Sequence, residues 1–284
     1  MKPNRTRLKT RLAVRHVRSI RQGLNALVSI EQILDAWFST HDPIDSTDGN
    51  TPRTISTQIA RDWAKVHIQV KDKEVLYNAL GRIYADSWVL GEDITDYELA
   101  RALGIRKATP SPKQLRRALT INWGSWRPGN RAAARLLSPP NGLKRLLDAR
   151  GLKLEGLTRT TLDRIGTSLA EGLKQGLSRR AMAKDLQAIL NDPERALMIA
   201  GTESSNAVVQ ASKNLYEDSG VEMVEWLVAD PCDDCQENYD QSPIPIGEEW
   251  RNGDPPVHPN CMCDIAPYVV DTKEWAAVYG EDAE

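Results

Sequence analysis

Residues 232–235 read Cys-Asp-Asp-Cys, and residues 255–263 read Pro-Pro-Val-His-Pro-Asn-Cys-Met-Cys. These two segments hold all four cysteines of the chain and one of its four histidines. Thiolate and imidazole groups are the usual ligands of structural zinc sites, in which four of them surround the ion. The sequence therefore concentrates its most specific chemistry in one region near the carboxyl end.

The candidate ligands outnumber the places in a tetrahedral site. Cys232 and Cys235 have the spacing of one half of a zinc knuckle, and His258 and Cys261 can supply the other half, with Cys263 as an alternative ligand. The long gap between the two halves matches no standard zinc ribbon. Two interpretations stay open: the side chains bind zinc in a closed structural site, or they pack, hydrogen-bond or form disulfides without a metal.

The chain before residue 157 reads as mainly helical, because apolar residues recur at three- and four-residue spacing. The patterns first predict a long amphipathic helix from about Thr10 to Phe38 and a linker over residues 41–52. They then predict one helix starting near Ile55 and another starting near Val75 and ending near Gly91. Two further helices are predicted, one between the capping box Thr95/Glu98 and Gly104 and one beginning at Ser111-Pro112.

From residue 157 onward the signals become sharper and change in kind. They predict a helix capped by Thr158 and ended by Gly176, a helix capped by Ser178, a long helix from Asp192-Pro193 to Gly220, and short strands over Val221–Val228 and Ile265–Val270. The predicted fold class is therefore mainly α, with a helical N-terminal region, a long central helix, and a small α+β C-terminal module whose strands surround the Cys/His cluster.

The net charge of −2 hides an uneven distribution. Residues 1–30 contain eight Lys and Arg and no acidic residue, whereas residues 217–284 are strongly acidic. Arg7, Arg11, Arg15 and Arg18 have helical spacing, and we interpret them as a partner-binding row on a separable arm. Positive charge in such a row suits DNA phosphates or an acidic protein surface. The alternative is an ordinary solvated helix face.

The sequence contains no apolar run near the roughly 18 residues of a membrane span, and its start lacks the apolar core of a secretory signal. We therefore expect a protein made in a cytoplasm, with no membrane partner. In that reducing compartment, clustered cysteines bind metal or carry out redox chemistry more often than they form structural disulfides.

Several features of residues 157–270 together resemble one protein family. They are the turn Gly176-Leu177-Ser178, the segment Ala200-Gly201-Thr202-Glu203 in a long helix, Gly220, Trp226 in a strand, the Cys232/Cys235 pair and the closing string of residues 255–263. This order is similar to the phage Mu F-like minor head protein family, the head morphogenesis domain of tailed double-stranded DNA bacteriophages. The chain departs from the family at Gly201 and Met262, where arginine is usual.

The resemblance implies a minor capsid protein without catalytic activity, associated with the portal vertex and involved in head assembly, genome packaging or release. The implied partners are the portal protein, the major capsid protein, or both, with packaged DNA as a further candidate for the basic row. The implied location is the virion head, assembled in the bacterial cytoplasm. The alternative is a capsid maturation protease or metal-dependent hydrolase with His258 as base and a cysteine as nucleophile.

This interpretation divides the chain into five parts: a basic helical arm over residues 1–40, a linker over 41–52, a helical region without assigned role over 53–156, the Mu F-like domain over 157–270, and an acidic tail over 271–284.

Overall fold

The computed structural model describes residues 5–41, 54–102, 129–229 and 231–268. Within these ranges the protein is mostly helical with a small antiparallel sheet near the carboxyl end, which confirms the predicted fold class. The elements in chain order are α1 (Arg5–Ala26), α2 (Ile30–Thr40), α3 (Thr57–His67), α4 (Lys73–Ala102), α5 (Gly129–Leu137), α6 (Asn141–Lys174), α7 (Arg179–Leu190), α8 (Pro193–Asp218), β1 (Met223–Leu227), α9 (Asp233–Gln241), β2 (Ile244–Pro245) and β3 (Asp264–Pro267).

The chain divides into two compact units. Unit 1 takes its described residues from Met1–Val14, Arg82–Leu146 and Met198–Glu284, and unit 2 takes its residues from Arg15–Gly81 and Leu147–Leu197. Four long helices, α1, α4, α6 and α8, contribute residues to both units. Each unit is therefore assembled from separated stretches of sequence.

Unit 1 contains the sheet, whose strand order is β2-β1-β3. Val224 pairs with Ile244 of β2, and Trp226 pairs with Ile265 of β3. Val224 and Trp226 are buried while their neighbours in β1 are partly exposed, as a strand with one covered face requires. The alternation predicted over residues 221–228 is thus confirmed, and the second predicted strand forms over Asp264–Pro267.

Unit 2 shows the clearest agreement between local signals and helix ends. The Ser178 hydroxyl caps α7 by accepting from the Ala181 amide, and Gly176, with φ of 65°, follows the end of α6. The Asp192 carboxylate accepts from the Arg195 amide at 3.0 Å, directly before α8 begins at Pro193. These predictions rest on short-range hydrogen bonds, which is why sequence alone sufficed for them.

The single helix predicted from Thr10 to Phe38 is wrong, because the chain forms α1 and α2 with a break between them. The Ala26 carbonyl accepts from the Asp72 amide at 3.2 Å, and the Leu27 carbonyl accepts from the Lys71 amide at 2.7 Å. These bonds within unit 2 satisfy carbonyl groups that a helix end leaves unpaired. The apolar periodicity continues through the break because Leu27 and Val28 are themselves buried.

Two predicted helix boundaries lie inside helices. Gly91 does not stop α4, because it serves as a contact surface for α8: a Cβ there would lie 2.7 Å from both the Ala211 Cβ and the Val208 carbonyl oxygen. Thr95 does not cap a helix, and its hydroxyl instead donates to the Ser212 hydroxyl at 2.8 Å. Gly91 and Thr95 thus serve tertiary packing in unit 1, although in the sequence they resemble helix-boundary residues.

Thr158 likewise lies within α6, where its hydroxyl donates to the Leu154 carbonyl at 2.8 Å. The predicted boundary at Gly104, the Ser111-Pro112 helix start and the acidic tail over 271–284 lie outside the described residues, as does nearly all of the predicted linker over 41–52. In the part of the chain that is described, no helix combines the length and apolar character needed to cross a membrane.

The close approach at Gly91 generates a stability prediction. Gly91→Ala should lower the free energy of unfolding by about 1–3 kcal/mol, because the new methyl group overpacks the contact with α8. Urea unfolding followed by circular dichroism measures the change.

Gly201→Ala is the matched control, since it also adds a methyl group to a helical residue of unit 1. The nearest atoms to that position are at ordinary contact distance, 3.6 and 3.9 Å, so we expect no loss and a gain of up to about 1 kcal/mol. Equal stabilities for the two variants would contradict the packing described at Gly91.

Candidate metal centre

The Cys/His cluster lies in unit 1, where α9 meets the turn that leads into β3. Cys232 occupies the N-cap position of α9, and Cys235 lies in its first turn. His258 and Cys261 belong to the connection before β3, and Cys263 directly precedes that strand. Because β1 pairs with β3 and precedes α9 by a short connection, the sheet brings the two cysteine segments to one place.

The Cys235 thiol stands at the centre of the cluster. Its Sγ lies 3.5 Å from His258 Nε2 and 3.7 Å from Cys261 Sγ. The potential ligand atoms of Cys232, Cys235 and His258 all lie within 4.8 Å of one another, and so do those of Cys235, Cys261 and Cys263. All five candidates from the sequence are therefore brought together, and either group of three could hold a metal ion.

Burial differs sharply within the cluster. Cys235, Cys261 and Cys263 are buried in the core that Trp226, Trp250 and other apolar residues form, whereas Cys232 is exposed and His258 is half-buried. All four cysteines are free thiols. The cluster thus has three groups fixed by core packing and two at its outer edge.

The imidazole of His258 is oriented by its own backbone neighbourhood. Nδ1 lies 2.9 Å from the Pro259 carbonyl oxygen, so Nδ1–H donates to that oxygen and Nε2 faces the Cys235 thiol. This hydrogen bond is the largest of the contacts that raise the pKa of the His258 imidazole. An imidazole held in this way at one nitrogen presents the other as a metal ligand.

The thiols influence one another's protonation. The Cys263 thiol hydrogen-bonds to Cys261, which lowers the pKa of Cys261 to about 5 and raises that of Cys263. Burial raises the pKa of Cys235 to about 12. The backbone amide of Cys235 lowers the pKa of Cys232 at the start of α9. A lowered pKa favours the thiolate, which is the form of cysteine that binds a metal ion.

The long helix α8 holds the connection that carries His258 and Cys261. The Asn260 amide donates to the Thr202 hydroxyl at 2.9 Å, and Asn260 adopts φ of 65°, a conformation that asparagine tolerates better than most residues. Thr202 thus has a specific bridging contact. The adjacent Glu203 is buried and accepts a hydrogen bond from the Tyr84 hydroxyl at 2.7 Å.

Gly201 of α8 and Met262 of the connection before β3 are neighbours in unit 1. A Cβ on Gly201 would lie 3.6 Å from the Met262 Cε atom, which is ordinary contact distance. An apolar side chain therefore lies over a glycine at this point.

A buried ion-pair network adjoins the cluster, and sequence reasoning missed it. Asp264, directly after Cys263, bridges two cations of α1: its Oδ1 lies 2.7 Å from an Arg5 Nη1, and its Oδ2 lies 2.7 Å from Lys9 Nζ. Arg5 also pairs with Glu98 and donates to the Tyr216 hydroxyl at 2.9 Å. The start of α1 is thus fixed to the rest of unit 1 rather than forming a separable arm.

The network affects the ionisation of its members. Burial alone would raise the pKa of Asp264, but the charges of Arg5 and Lys9 outweigh it and hold that pKa below its usual value. The signal available in the sequence was the four-residue spacing of Arg5 and Lys9, which places both on one helix face. Nothing in the local pattern indicated that this face, and not the opposite one, was buried.

The arginines predicted to bind a partner are exposed to solvent, unlike Arg5 and Lys9. Arg7, Arg11, Arg15 and Arg18 are all exposed along α1. The basic N-terminal segment therefore contains two sets of cations: a buried pair that binds carboxylates of unit 1, and an exposed row that carries charge towards solvent.

Comparison with known proteins finds no match to the chain, whether among family models, curated proteins or solved structures. The functional interpretation therefore rests on the motif residues and on the geometry that they adopt.

Proposed function

We propose that this protein is a minor head protein of a tailed double-stranded DNA bacteriophage, and that its Cys/His cluster holds a structural zinc ion. In this proposal it belongs to the virion head, near the portal vertex, and contributes to head assembly, genome packaging or release. It acts as a structural component and not as an enzyme.

One observation carries the proposal: the two segments on which the family resemblance depends converge on a single point. Residues 232–235 and 255–263 are separated in sequence, yet both place ligand-type atoms next to the Cys235 thiol. Unrelated surface loops would have no reason to bring thiols and an imidazole together. Their convergence supports interpreting the motif as one built module.

Two distances between candidate ligand atoms, both at Cys235, match tetrahedral zinc coordination. With Zn–S bonds of about 2.3 Å and Zn–N bonds of about 2.0–2.1 Å, tetrahedral angles place two sulfur ligands about 3.8 Å apart and a sulfur and a nitrogen about 3.5 Å apart. Cys235 lies 3.7 Å from Cys261 Sγ and 3.5 Å from His258 Nε2. Sulfur ligands also favour zinc over calcium or magnesium, which prefer oxygen.

We assign the four ligand places to Cys232, Cys235, His258 and Cys261. Cys261 is chosen because its Sγ lies 3.7 Å from the Cys235 Sγ, and Cys263, which belongs to the same group of three, is the alternative ligand. With four protein ligands, the site has no open position for a substrate, as in structural and not catalytic zinc sites. The ion would tie α9 to the connection before β3 and thereby order a segment rich in Pro, Gly and acidic residues.

The exposed row on α1 supports the partner part of the proposal. Arg7, Arg11, Arg15 and Arg18 are exposed and positively charged, which suits the DNA backbone or an acidic surface of portal or capsid subunits. The acidic residues around Cys232 make the metal module itself a poor partner for phosphate.

One observation favours the second candidate, a capsid maturation protease or metal-dependent hydrolase. Cys232 is exposed and its thiol lies within 4.8 Å of the His258 imidazole, as an attacking thiol and its base would. In that case Cys232→Ala would abolish cleavage of head proteins. In the structural proposal the same change weakens metal binding and no cleavage is involved.

The zinc proposal predicts about one zinc ion per chain in full-length protein purified without a metal-binding tag, measured by elemental analysis. Removing the ion with a chelator should lower the melting temperature, because at free zinc a hundred times its Kd the ion contributes about 2.7 kcal/mol. Cys235→Ser should abolish binding, since Cys235 belongs to both candidate groups.

Cys263→Ser is the matched control for that experiment, because it changes a buried thiol of the same cluster that we do not assign as a ligand. It should retain the metal. A cooperatively folded wild-type chain without metal would show that the cluster serves packing alone, and metal loss in Cys263→Ser would move the ligand assignment to that residue.

The head proposal predicts that quantitative mass spectrometry of purified heads finds this protein at a low copy number close to that of the portal. The physical reason is that a portal-associated component is limited by the single portal vertex. The major capsid protein in the same sample is the internal standard. Absence of the chain from both procapsids and virions would refute the assignment.

A further inference from the structure

Lys9 is completely buried in unit 1, and its ammonium group has three acceptors. Nζ lies 3.0 Å from the Ser205 hydroxyl oxygen, 3.1 Å from the Cys263 carbonyl oxygen and 2.7 Å from Asp264 Oδ2. The buried ammonium group thus has two hydrogen bonds and one ion pair. Two of these three oxygen atoms belong to Cys263 and Asp264, the second and third residues after the proposed ligand Cys261.

Those two acceptors are in place only if the chain through Cys261 and Cys263 is ordered. The Cys263 carbonyl and the Asp264 carboxylate lie at the start of β3, where the connection from the metal centre ends. A buried lysine that loses its acceptors is costly, because its charge has neither water nor a partner. Docking of α1 on unit 1 therefore depends on the conformation of the same segment that would hold the ion.

We propose that Lys9 is a positioning residue for the metal centre, so that metal binding and docking of residues 5–14 of α1 stabilise each other. This inference rests on the zinc site proposed above. The zinc ion fixes Cys261, the segment from Cys261 to Asp264 presents a backbone carbonyl and a carboxylate, and Lys9 binds both from α1. Such linkage is reciprocal: the factor by which bound zinc favours the docking of α1 equals the factor by which docked α1 raises the affinity for zinc.

The charges act in the same direction. A zinc ion with three thiolates and a neutral imidazole carries one net negative charge, and a buried ammonium group beside it offsets that charge. Arg5 already pairs with Glu98 as well as Asp264, so Lys9 is the cation whose contacts reach the backbone of the cluster itself. Among the described residues, this direct backbone contact distinguishes Lys9 from the exposed arginines of α1.

Hydrogen exchange of the full-length chain tests the linkage directly. Comparing zinc-loaded protein with chelator-treated protein, we expect the peptide covering residues 5–14 to exchange about 5–150 times faster without zinc, the usual range of coupling between sites. The peptide covering α2, which lies in unit 2, serves as the internal control and should not change. Unchanged exchange of residues 5–14 on removal of bound zinc would overturn the inference.

Zinc release to a chromogenic chelator tests the reverse direction. Lys9→Met removes the charge while keeping an unbranched side chain, and we expect release about 5–150 times faster than from wild type. Lys144→Met is the matched control: it makes the same change at an exposed position of unit 1 and should release zinc at the wild-type rate. If Lys9→Met fails to fold, Ser205→Ala removes only one acceptor and should show a smaller acceleration.

Gly91→Ala separates a positioning role of Lys9 from a merely structural one. Its added methyl group meets Ala211 and Val208 and so destabilises unit 1 without removing a contact of Lys9. Zinc release should be faster from Lys9→Met than from Gly91→Ala at matched loss of unfolding free energy, and equal rates would overturn a positioning role. A folded wild-type chain without zinc would overturn both the site and the linkage. Bound zinc with release unaffected in both Lys9→Met and Ser205→Ala would overturn the linkage alone.

Discussion

The carboxylate of Asp264 is the contact on which the organisation of unit 1 depends. It is buried between Arg5 and Lys9 of α1, directly follows the last cysteine of the cluster, and begins the strand that pairs with β1. Removing one partner from a buried ion pair typically costs about 3–5 kcal/mol, because the remaining charge has lost its solvation. This single group therefore connects the N-terminal helix with the sheet and the Cys/His cluster, which are formed by residues near the carboxyl end.

The Cys/His cluster and the ion-pair network both place polar side chains in the core of unit 1. Thiols at Cys235, Cys261 and Cys263 occupy a core position where apolar side chains would ordinarily lie, and Arg5 and Lys9 occupy another. Polar groups in such places need defined partners, and each set supplies them to its members. The result is a small module whose order depends on directed contacts more than on apolar area, consistent with the short strands and the few apolar residues between Cys232 and Cys263.

Sequence reasoning succeeded where the determining contacts are local. The caps at Ser178 and Asp192 and the alternation in β1 depend on residues a few positions away, and the types of the five candidate ligands were visible from the motif. It failed where the contact is remote. Gly91 resembles a helix stop until Ala211 is seen against it, and no local pattern indicates that Lys9 meets Asp264. The choice among the five ligands also needed distances, because spacing alone treats Cys261 and Cys263 alike.

X-ray absorption at the zinc edge of the full-length protein tests the proposed zinc site around Cys235 most directly. We expect a first coordination shell of three sulfur atoms at about 2.3 Å and one nitrogen at about 2.0–2.1 Å. A shell of oxygen atoms without sulfur, or folded protein that holds no zinc, would contradict the proposed site.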